Sequence, residues 1–272
     1  MTAPGIVVLE ARGVVMRFGG LTALSGFDLS LRTGELVGLI GPNGAGKTTA
    51  FNALTGVYAP SEGEVVVAGR RVNGLRPHQI CELGVARTFQ NVRLFKELSA
   101  FDNVRIACHA GCKAGFLDTL YQTAHHEEEE ARIMARAEEY LVVMGLGHRR
   151  DEISRNLPYG EQRRLEIARA LATGPKLLCL DEPAAGMNAS EKVALMELIR
   201  KIRDDFRLAI LVIEHDMRVV MGVSERLVVL DHGVTIASGL PDAVRRDPRV
   251  IEAYLGDAYL AEHQIAVPGA VS

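Results

Sequence analysis

The sequence has little of several features that mark whole classes of protein. Its 272 residues carry a formal net charge of only −3, which gives no electrostatic reason to expect a nucleic-acid partner. The four cysteines show no pattern of a disulfide framework. No apolar run reaches the roughly eighteen residues that a transmembrane helix needs. The first residues lack the charged region and apolar core of a signal peptide, so we expect a cytoplasmic chain.

What is present is an ordinary globular composition, with 48% hydrophobic and 24% charged residues. A loose alternation over residues 6–18 predicts an edge strand. Spacing of three and four residues predicts a helix over residues 125–144, inside a stretch from about 91 to 156 without strand signals. Three near-continuous apolar runs predict buried parallel strands, at residues 35–40, 176–181 and 208–214. The chain is therefore predicted to be α/β with a helical insertion.

Residues 41–48 read G-P-N-G-A-G-K-T and fit the phosphate-loop pattern G-x-x-x-x-G-K-T at every fixed position. Glycines let the backbone wrap around phosphate oxygens, while amides and a helix N-terminus face the anion. We expect Lys47 to neutralise the β- and γ-phosphates of a nucleoside triphosphate and Thr48 to bind Mg²⁺. The alternative is a glycine-rich turn without a ligand. The residues expected to contact the nucleotide here are Gly41, Pro42, Asn43, Gly44, Ala45, Gly46, Lys47, Thr48 and Thr49.

Asp181 ends the apolar run at residues 176–181, and a second acidic residue, Glu182, follows directly. Open α/β sheets place ligands at the carboxyl ends of their strands. Asp181 would hold Mg²⁺ there, and Glu182 would polarise the water that attacks the γ-phosphate. Two solvated acids at a strand end are the alternative, which the phosphate loop upstream disfavours.

Residues 157–162 read L-P-Y-G-E-Q, a short loop that opens a predicted helix. A loop followed by a helix N-terminus is a second place for an anion. Arg163 and Arg164 are expected to be a surface pair on this helix. Its predicted apolar stripe consists of Leu165, Ala168, Leu171 and Ala172.

With this signature loop upstream of Asp181, the chain resembles the nucleotide-binding subunits of ATP-binding cassette (ABC) transporters. The resemblance implies an α/β ABC ATPase fold, in which a parallel phosphate-loop core sheet is joined by an antiparallel β subdomain and a helical (signature) subdomain. It implies one domain over residues 1–258, with the helical subdomain inserted at about 91–172. Residues 259–272 would form a flexible C-terminal tail.

The resemblance also implies roles for single residues. Phe18 would stack on adenine, although a core phenylalanine is also possible at a strand end. Gln90 would reach Mg²⁺ and the attacking water, or else be a plain surface glutamine. His215 would contact the γ-phosphate, or else be a structural histidine. Three signature residues would contact the nucleotide of a second subunit, namely Tyr159, Gly160 and Glu161.

More specific stretches resemble the LivG-type ATPases of branched-chain amino acid importers; they include residues 16–20, 87–95, 213–217 and 251–256. This implies an ATPase at the cytoplasmic face of the membrane that binds permease subunits, with an external substrate-binding protein as an indirect partner. A second ATPase subunit would complete a heterodimer, with a homodimer as the alternative. Other readings are the ATPase of an export system, such as lipopolysaccharide transport, or a soluble ATPase of translation or DNA repair. One phosphate loop and no heptads disfavour the last.

Two positions depart from the family pattern. Pro158 replaces the serine of L-S-G-G-Q and has neither its hydroxyl nor an N–H. Asn188 stands where aspartate is usual. The resemblance implies that both belong to an asymmetric dimer. Four apolar residues are candidates to contact the permease, with the core of the helical subdomain as the alternative; they are Val92, Leu94, Phe95 and Leu98.

Overall fold

The structure is a computed structural model that describes residues 5–111 and 124–254; the expected tail at 259–272 lies outside this part. The strands are β1 (Val7–Phe18), β2 (Leu21–Arg32), β3 (Leu36–Ile40), β4 (Glu62–Val67), β5 (Arg70–Arg71), β6 (Val85–Arg87), β7 (Leu177–Asp181), β8 (Ala209–Ile213), β9 (Arg226–Asp231) and β10 (Val234–Gly239). The α-helices are α1 (Lys47–Leu54), α2 (Pro77–Glu82), α3 (Ala100–Cys108), α4 (Ala124–Val143), α5 (Tyr159–Ala172), α6 (Ala189–Phe206), α7 (Met217–Val223) and α8 (Pro241–Arg245). A further helical segment covers residues 248–254.

The described residues divide into two compact units, and the first comprises those up to Pro77 and those from Ala209 onward. It contains an antiparallel sheet in the order β2-β1-β4-β5. It also contains β3 between two parallel neighbours, β8 and β9, with β10 antiparallel to β9. All five residues of β3 are buried. Covering both faces of a parallel strand explains its uninterrupted apolar sequence.

The first strand is not the edge strand that the loose alternation predicts. β1 pairs with β2 on one side and with β4 on the other. Its pairing register shifts between Ala11 and Val14, where Gly13 has a φ of 56°. A bulge of this kind inserts unpaired residues and breaks the alternation of inward and outward side chains. The sequence of an interior strand with bulges therefore reads like that of an edge strand.

The second unit comprises the described residues of His78–Leu208. Its two strands, β6 and β7, are parallel partners, and all five residues of β7 are buried. The predicted stripe of α5 is buried too, since Leu165 and Ala168 are fully covered. The sequence did not predict β6 or α3, because a three-residue strand and a nine-residue helix give little periodicity. The expected insertion at about 91–172 falls within this unit, whose bounds are wider.

None of the helices in the two described ranges combines the length and hydropathy that a membrane span requires.

Helix α6 begins with a capping box that explains the departure at Asn188. The Asn188 side chain accepts a hydrogen bond from the Glu191 amide at 3.0 Å, and the Glu191 carboxylate accepts one from the Asn188 amide at 2.9 Å. Each bond satisfies an amide that has no partner within the helix. Asparagine and aspartate serve almost equally well at this position. Asn188 therefore preserves the start of α6.

We predict that Asn188→Ala lowers the free energy of unfolding by roughly 1 to 2 kcal/mol, because the Glu191 amide loses its side-chain acceptor. The matched control is Asn188→Asp, which retains the acceptor and should change stability by less than about 0.5 kcal/mol. Urea unfolding followed by circular dichroism measures both. Equal stability of the alanine and wild-type chains would show that the box contributes nothing.

Candidate functional site

The phosphate loop turns sharply between β3 and α1, and the structure shows why glycine is needed at two of its positions. A Cβ on Gly41 would lie 2.1 Å from the carbonyl oxygen of Leu230. A Cβ on Gly46 would lie 2.7 Å from the carbonyl oxygen of Ala23, and Gly46 has a φ of 97°. These backbone atoms cannot move aside as a flexible side chain would. The backbone of the loop therefore packs closely on other backbone segments of its own unit.

Lys47 lies in the first turn of α1 and is only 8% exposed. Its ammonium group donates hydrogen bonds to the carbonyl oxygens of Gly41 at 2.6 Å and Pro42 at 2.8 Å. The helix has no side-chain N-cap and no acidic residue in its first turn. The positive end of the helix dipole is thus not neutralised there, which favours an anionic ligand.

A cleft of about 550 Å³ lies over this loop in the first unit. Phe18 lines it and is 43% exposed, so it is not a core residue. The ring of Phe18 contacts Tyr58 edge-on, with 5.2 Å between ring centroids. The other predicted residues on the cleft wall are Gly44, Ala45, Gly46, Lys47, Thr48 and Thr49. An exposed aromatic ring and a phosphate loop in one cleft suit a base and its phosphates.

Sequence reasoning missed five residues that line the same cleft, namely Leu21, Thr22, Ala23, His232 and Gly233. They come from β2 and from the turn between β9 and β10, and no local motif marks them. Two predicted loop residues, Pro42 and Asn43, line a neighbouring cleft of about 700 Å³ instead. His215 is exposed two residues beyond the end of β8 and is not on the wall of the first cleft.

In the second unit, Asp181 ends β7 and is 6% exposed. Its amide donates to the Thr88 hydroxyl at 3.2 Å, and its carboxylate lies 3.8 Å from the Arg87 guanidinium. Burial raises the pKa of Asp181, whereas the charge of Arg87 opposes this shift. Glu182 adds a second negative charge nearby and raises the pKa further. A divalent cation would stabilise the ionised carboxylate, so this donor fits Mg²⁺.

Gln90 and Glu182 meet in the second unit although 92 positions separate them. The Gln90 amide nitrogen donates to a Glu182 carboxylate oxygen at 3.3 Å. Glu182 has a φ of 46°, a left-handed conformation that is rare for a residue with a side chain. Such strain, on the order of 1 to 3 kcal/mol, persists only where the surroundings enforce it, and it clusters at functional sites.

The signature residues differ from the expected loop, because α5 already begins at Tyr159. Tyr159, Gly160 and Glu161 form its first turn, and Pro158 occupies the N-cap position without a side-chain cap. Pro158 has a φ of −53° and a ψ of 149°, so its backbone is still extended and the helix begins with the next residue. Glu161 pairs with the Arg149 guanidinium at 3.1 Å.

The prediction that Arg163 and Arg164 form a surface pair on α5 is wrong for Arg163, which is only 2% exposed. Its guanidinium donates to the carbonyl oxygen of Phe89 at 2.7 Å and to that of Gln90. It also lies 3.3 Å from the Glu166 carboxylate, which is buried as well. Most of these partners come from a distant segment. They stabilise a buried charge that the local sequence predicts on a solvent-exposed face. Arg164 is half-buried.

The four apolar candidates for permease contact are not core residues. Phe95 is 46% exposed, and its ring stacks on the Arg169 guanidinium at 4.7 Å. Val92, Leu94 and Leu98 are half-buried. Partly exposed apolar side chains on one segment offer a contact surface.

The comparisons with known proteins agree with these features. A model of the ABC transporter family matches residues 24–185, and one described as branched-chain amino acid ATP-binding cassette transporter matches residues 234–259. The high-affinity branched-chain amino acid transport ATP-binding protein LivG of Salmonella typhimurium is 46% identical over 92% of this chain and 98% of its own length. The corresponding protein BraF of Pseudomonas aeruginosa is 45% identical with the same coverage.

The lipopolysaccharide export system ATP-binding protein LptB of Acidithiobacillus ferridurans is less similar, at 32% identity over 93% of this chain and 98% of its own length. A solved nucleotide-free ATP-binding cassette of an ABC transporter matches with a TM-score of 0.79 and 29% identity. It covers 93% of this chain and 100% of that one. An ADP-bound cassette matches with the same score. The predicted α/β ABC ATPase fold is thereby confirmed, and this chain belongs to the ATP-hydrolysing subunits of the ABC transporter family.

Proposed function

We propose that this chain is the ATP-hydrolysing subunit of an importer that takes up branched-chain or related amino acids through a membrane permease. The observation that carries ATP binding is the cleft shared by Phe18 and the phosphate loop. The inference about the cargo rests on 46% identity to a branched-chain amino acid transport protein across 92% of the chain. The export ATPase at 32% identity supports the alternative less strongly.

Within the proposed site, Phe18 stacks on adenine, and Lys47 and the loop amides bind the phosphates. Glu182 accepts the proton of the attacking water, and its hydrogen bond from Gln90 orients the carboxylate. His215 contacts the γ-phosphate. Mg²⁺, when bound, neutralises phosphate charge, and Thr48, Gln90 and Asp181 would hold it. Tyr159, Gly160 and Glu161 of this chain contact the nucleotide that a second subunit binds, and the signature turn of that subunit completes the site described here.

We propose a non-identical ATPase as the second subunit. Pro158 removes the hydroxyl and the amide that the usual serine would offer across the interface, so this signature is weaker than the family pattern. A partner whose signature retains the serine would supply the hydroxyl and the amide at one of the two nucleotide sites. The complex then works at the cytoplasmic face of the membrane, where Phe95 and its apolar neighbours contact the permease. The substrate-binding protein contacts the permease and not this chain.

Lys47→Ala should weaken ATP binding about 10- to 100-fold, because a charged hydrogen-bond donor to the phosphates is lost. Titration calorimetry with the purified chain measures the affinity. Lys201→Ala is the control, since Lys201 is exposed on α6 and should leave the affinity unchanged. Equal affinities of the two variants would remove Lys47 from the site.

Glu182→Gln should lower hydrolysis by about 10²- to 10⁴-fold, because the amide cannot accept the proton from water. ATP affinity should remain near that of the wild type, and ATP should trap the dimer with the second ATPase subunit, which light scattering detects. The matched control is Glu197→Gln, an exposed position on α6. Hydrolysis by Glu182→Gln within twofold of the wild-type rate would assign the proton transfer to another group.

Co-purification tests the transport role. The tagged Glu182→Gln chain, extracted with ATP from gently solubilised membranes, should retain two permease subunits and a different ATPase. The Lys47→Ala chain serves as a bait that binds nucleotide poorly. Loss of the gene for this chain should then abolish uptake of labelled leucine, isoleucine or valine. Recovery of lipopolysaccharide export components, of ribosomes or of this chain alone would reject the importer.

A further inference from the structure

One face of α5 holds the irregular segment that carries Gln90. Residues 88–95 follow β6 and form neither helix nor strand. Their backbone groups therefore need partners from outside the segment. Three charged side chains spaced by three positions on α5 supply them, and these are Arg163, Glu166 and Arg169.

Arg163 makes the most contacts of the three. Two of its guanidinium nitrogens donate to consecutive carbonyl oxygens, those of Phe89 at 2.7 Å and of Gln90. A third nitrogen, Nε, donates to the Tyr159 hydroxyl at 3.0 Å. One buried guanidinium therefore joins the first turn of the signature helix to the residue that binds Glu182.

Glu166 holds the same segment through its amides. Its carboxylate accepts hydrogen bonds from the Phe89 amide at 3.3 Å and the Arg93 amide at 3.2 Å, on either side of Gln90. Burial raises the pKa of Glu166, and the two amides and Arg163 oppose this shift. The Phe89 ring is stacked by Arg93, at 3.9 Å. Side chains of α5 thus bind backbone groups on both sides of Gln90.

The third residue extends the arrangement to the exposed apolar segment. Arg169 donates to the Arg93 carbonyl oxygen, and its guanidinium stacks on the Phe95 ring at 4.7 Å. The residues from Gln90 to Phe95 are therefore attached to α5 by charged side chains and not by regular secondary structure.

We propose that Arg163, paired with Glu166, is a positioning residue for ATP hydrolysis, which holds Gln90 against Glu182 and connects it to Tyr159. This inference rests on the proposed function, because it takes Gln90 and Glu182 as parts of the hydrolytic site. Arg163 does not touch the substrate. It acts by fixing the backbone from which the Gln90 amide reaches the Glu182 carboxylate.

Lysine cannot replace arginine in this role. The guanidinium donates in three directions from a rigid plane, whereas an ammonium on a flexible stem retains the charge without that geometry. A displacement of about 1 Å in a positioned catalytic group can cost on the order of 10²-fold in rate. Arg163→Lys therefore separates the charge of the side chain from its hydrogen-bond geometry.

The test is steady-state ATP hydrolysis by the full-length chain in its transporter complex. We expect Arg163→Lys to lower kcat about 10- to 100-fold while KM changes less than about twofold, since the misplaced group acts on the chemical step. Arg155→Lys is the matched control, because Arg155 precedes α5, is exposed and pairs with Glu97. Circular dichroism checks that each variant is folded.

A double-mutant cycle tests the connection to Tyr159. Tyr159→Phe removes only the hydroxyl that Arg163 binds, at a side chain that is 44% exposed, so this variant remains informative even if Arg163→Lys does not fold. We expect Tyr159→Phe to lower kcat about 3- to 10-fold in the wild-type background. In the Arg163→Lys background its effect should fall below about twofold, because coupled residues do not act additively.

Any of the following outcomes would overturn the inference: wild-type kcat in folded Arg163→Lys, an effect confined to KM, or wild-type kcat in Tyr159→Phe. Fully additive losses would also overturn it. Failure of the proposed hydrolytic site is distinguishable, since Glu182→Gln would then hydrolyse ATP at close to the wild-type rate.

Discussion

A buried ammonium group needs oxygen atoms around it, and the first unit meets this need at Lys47. The loop between β3 and α1 folds back so that the carbonyl oxygens of Gly41 and Pro42 accept hydrogen bonds from Lys47. Glycine at position 41 permits this turn, because a Cβ there would collide with the Leu230 backbone. The same turn directs the start of α1 into the cleft that Phe18 lines. The shape of the loop thus follows from how its carbonyl oxygens surround its own lysine.

The second unit solves a related problem with side chains. An irregular backbone segment would leave amides and carbonyl groups without partners in a partly buried place. Arg163 and Glu166 satisfy those groups, and each also offsets the charge of the other. Either residue alone would be costly to bury, because removing one partner leaves an unpaired charge. Their arrangement holds the backbone of Gln90, whose side chain donates a hydrogen bond to Glu182.

The two departures from the family pattern have different physical consequences. Asn188 retains what aspartate would provide, because its side-chain oxygen accepts the same hydrogen bond at the start of α6. Pro158 does not retain what serine would provide, since it has neither hydroxyl nor amide hydrogen. Its backbone nevertheless places Tyr159 directly in the first turn of α5. The first change therefore keeps the start of its helix intact, whereas the second removes a hydroxyl and an amide hydrogen from the start of α5.

The sequence alone determined the phosphate loop, the buried strands β3 and β7 and the acidic pair at the carboxyl end of β7, because these depend on local spacing and on runs of apolar residues. Only the tertiary structure decided that β1 is an interior strand, that Arg163 is buried and that His232 lines the cleft. Arginine has the same charge in a solvated or a buried place, and local sequence does not show which distant carbonyl oxygens will face it. Contacts between segments far apart in sequence settle such positions, and a single sequence does not encode them in any short pattern.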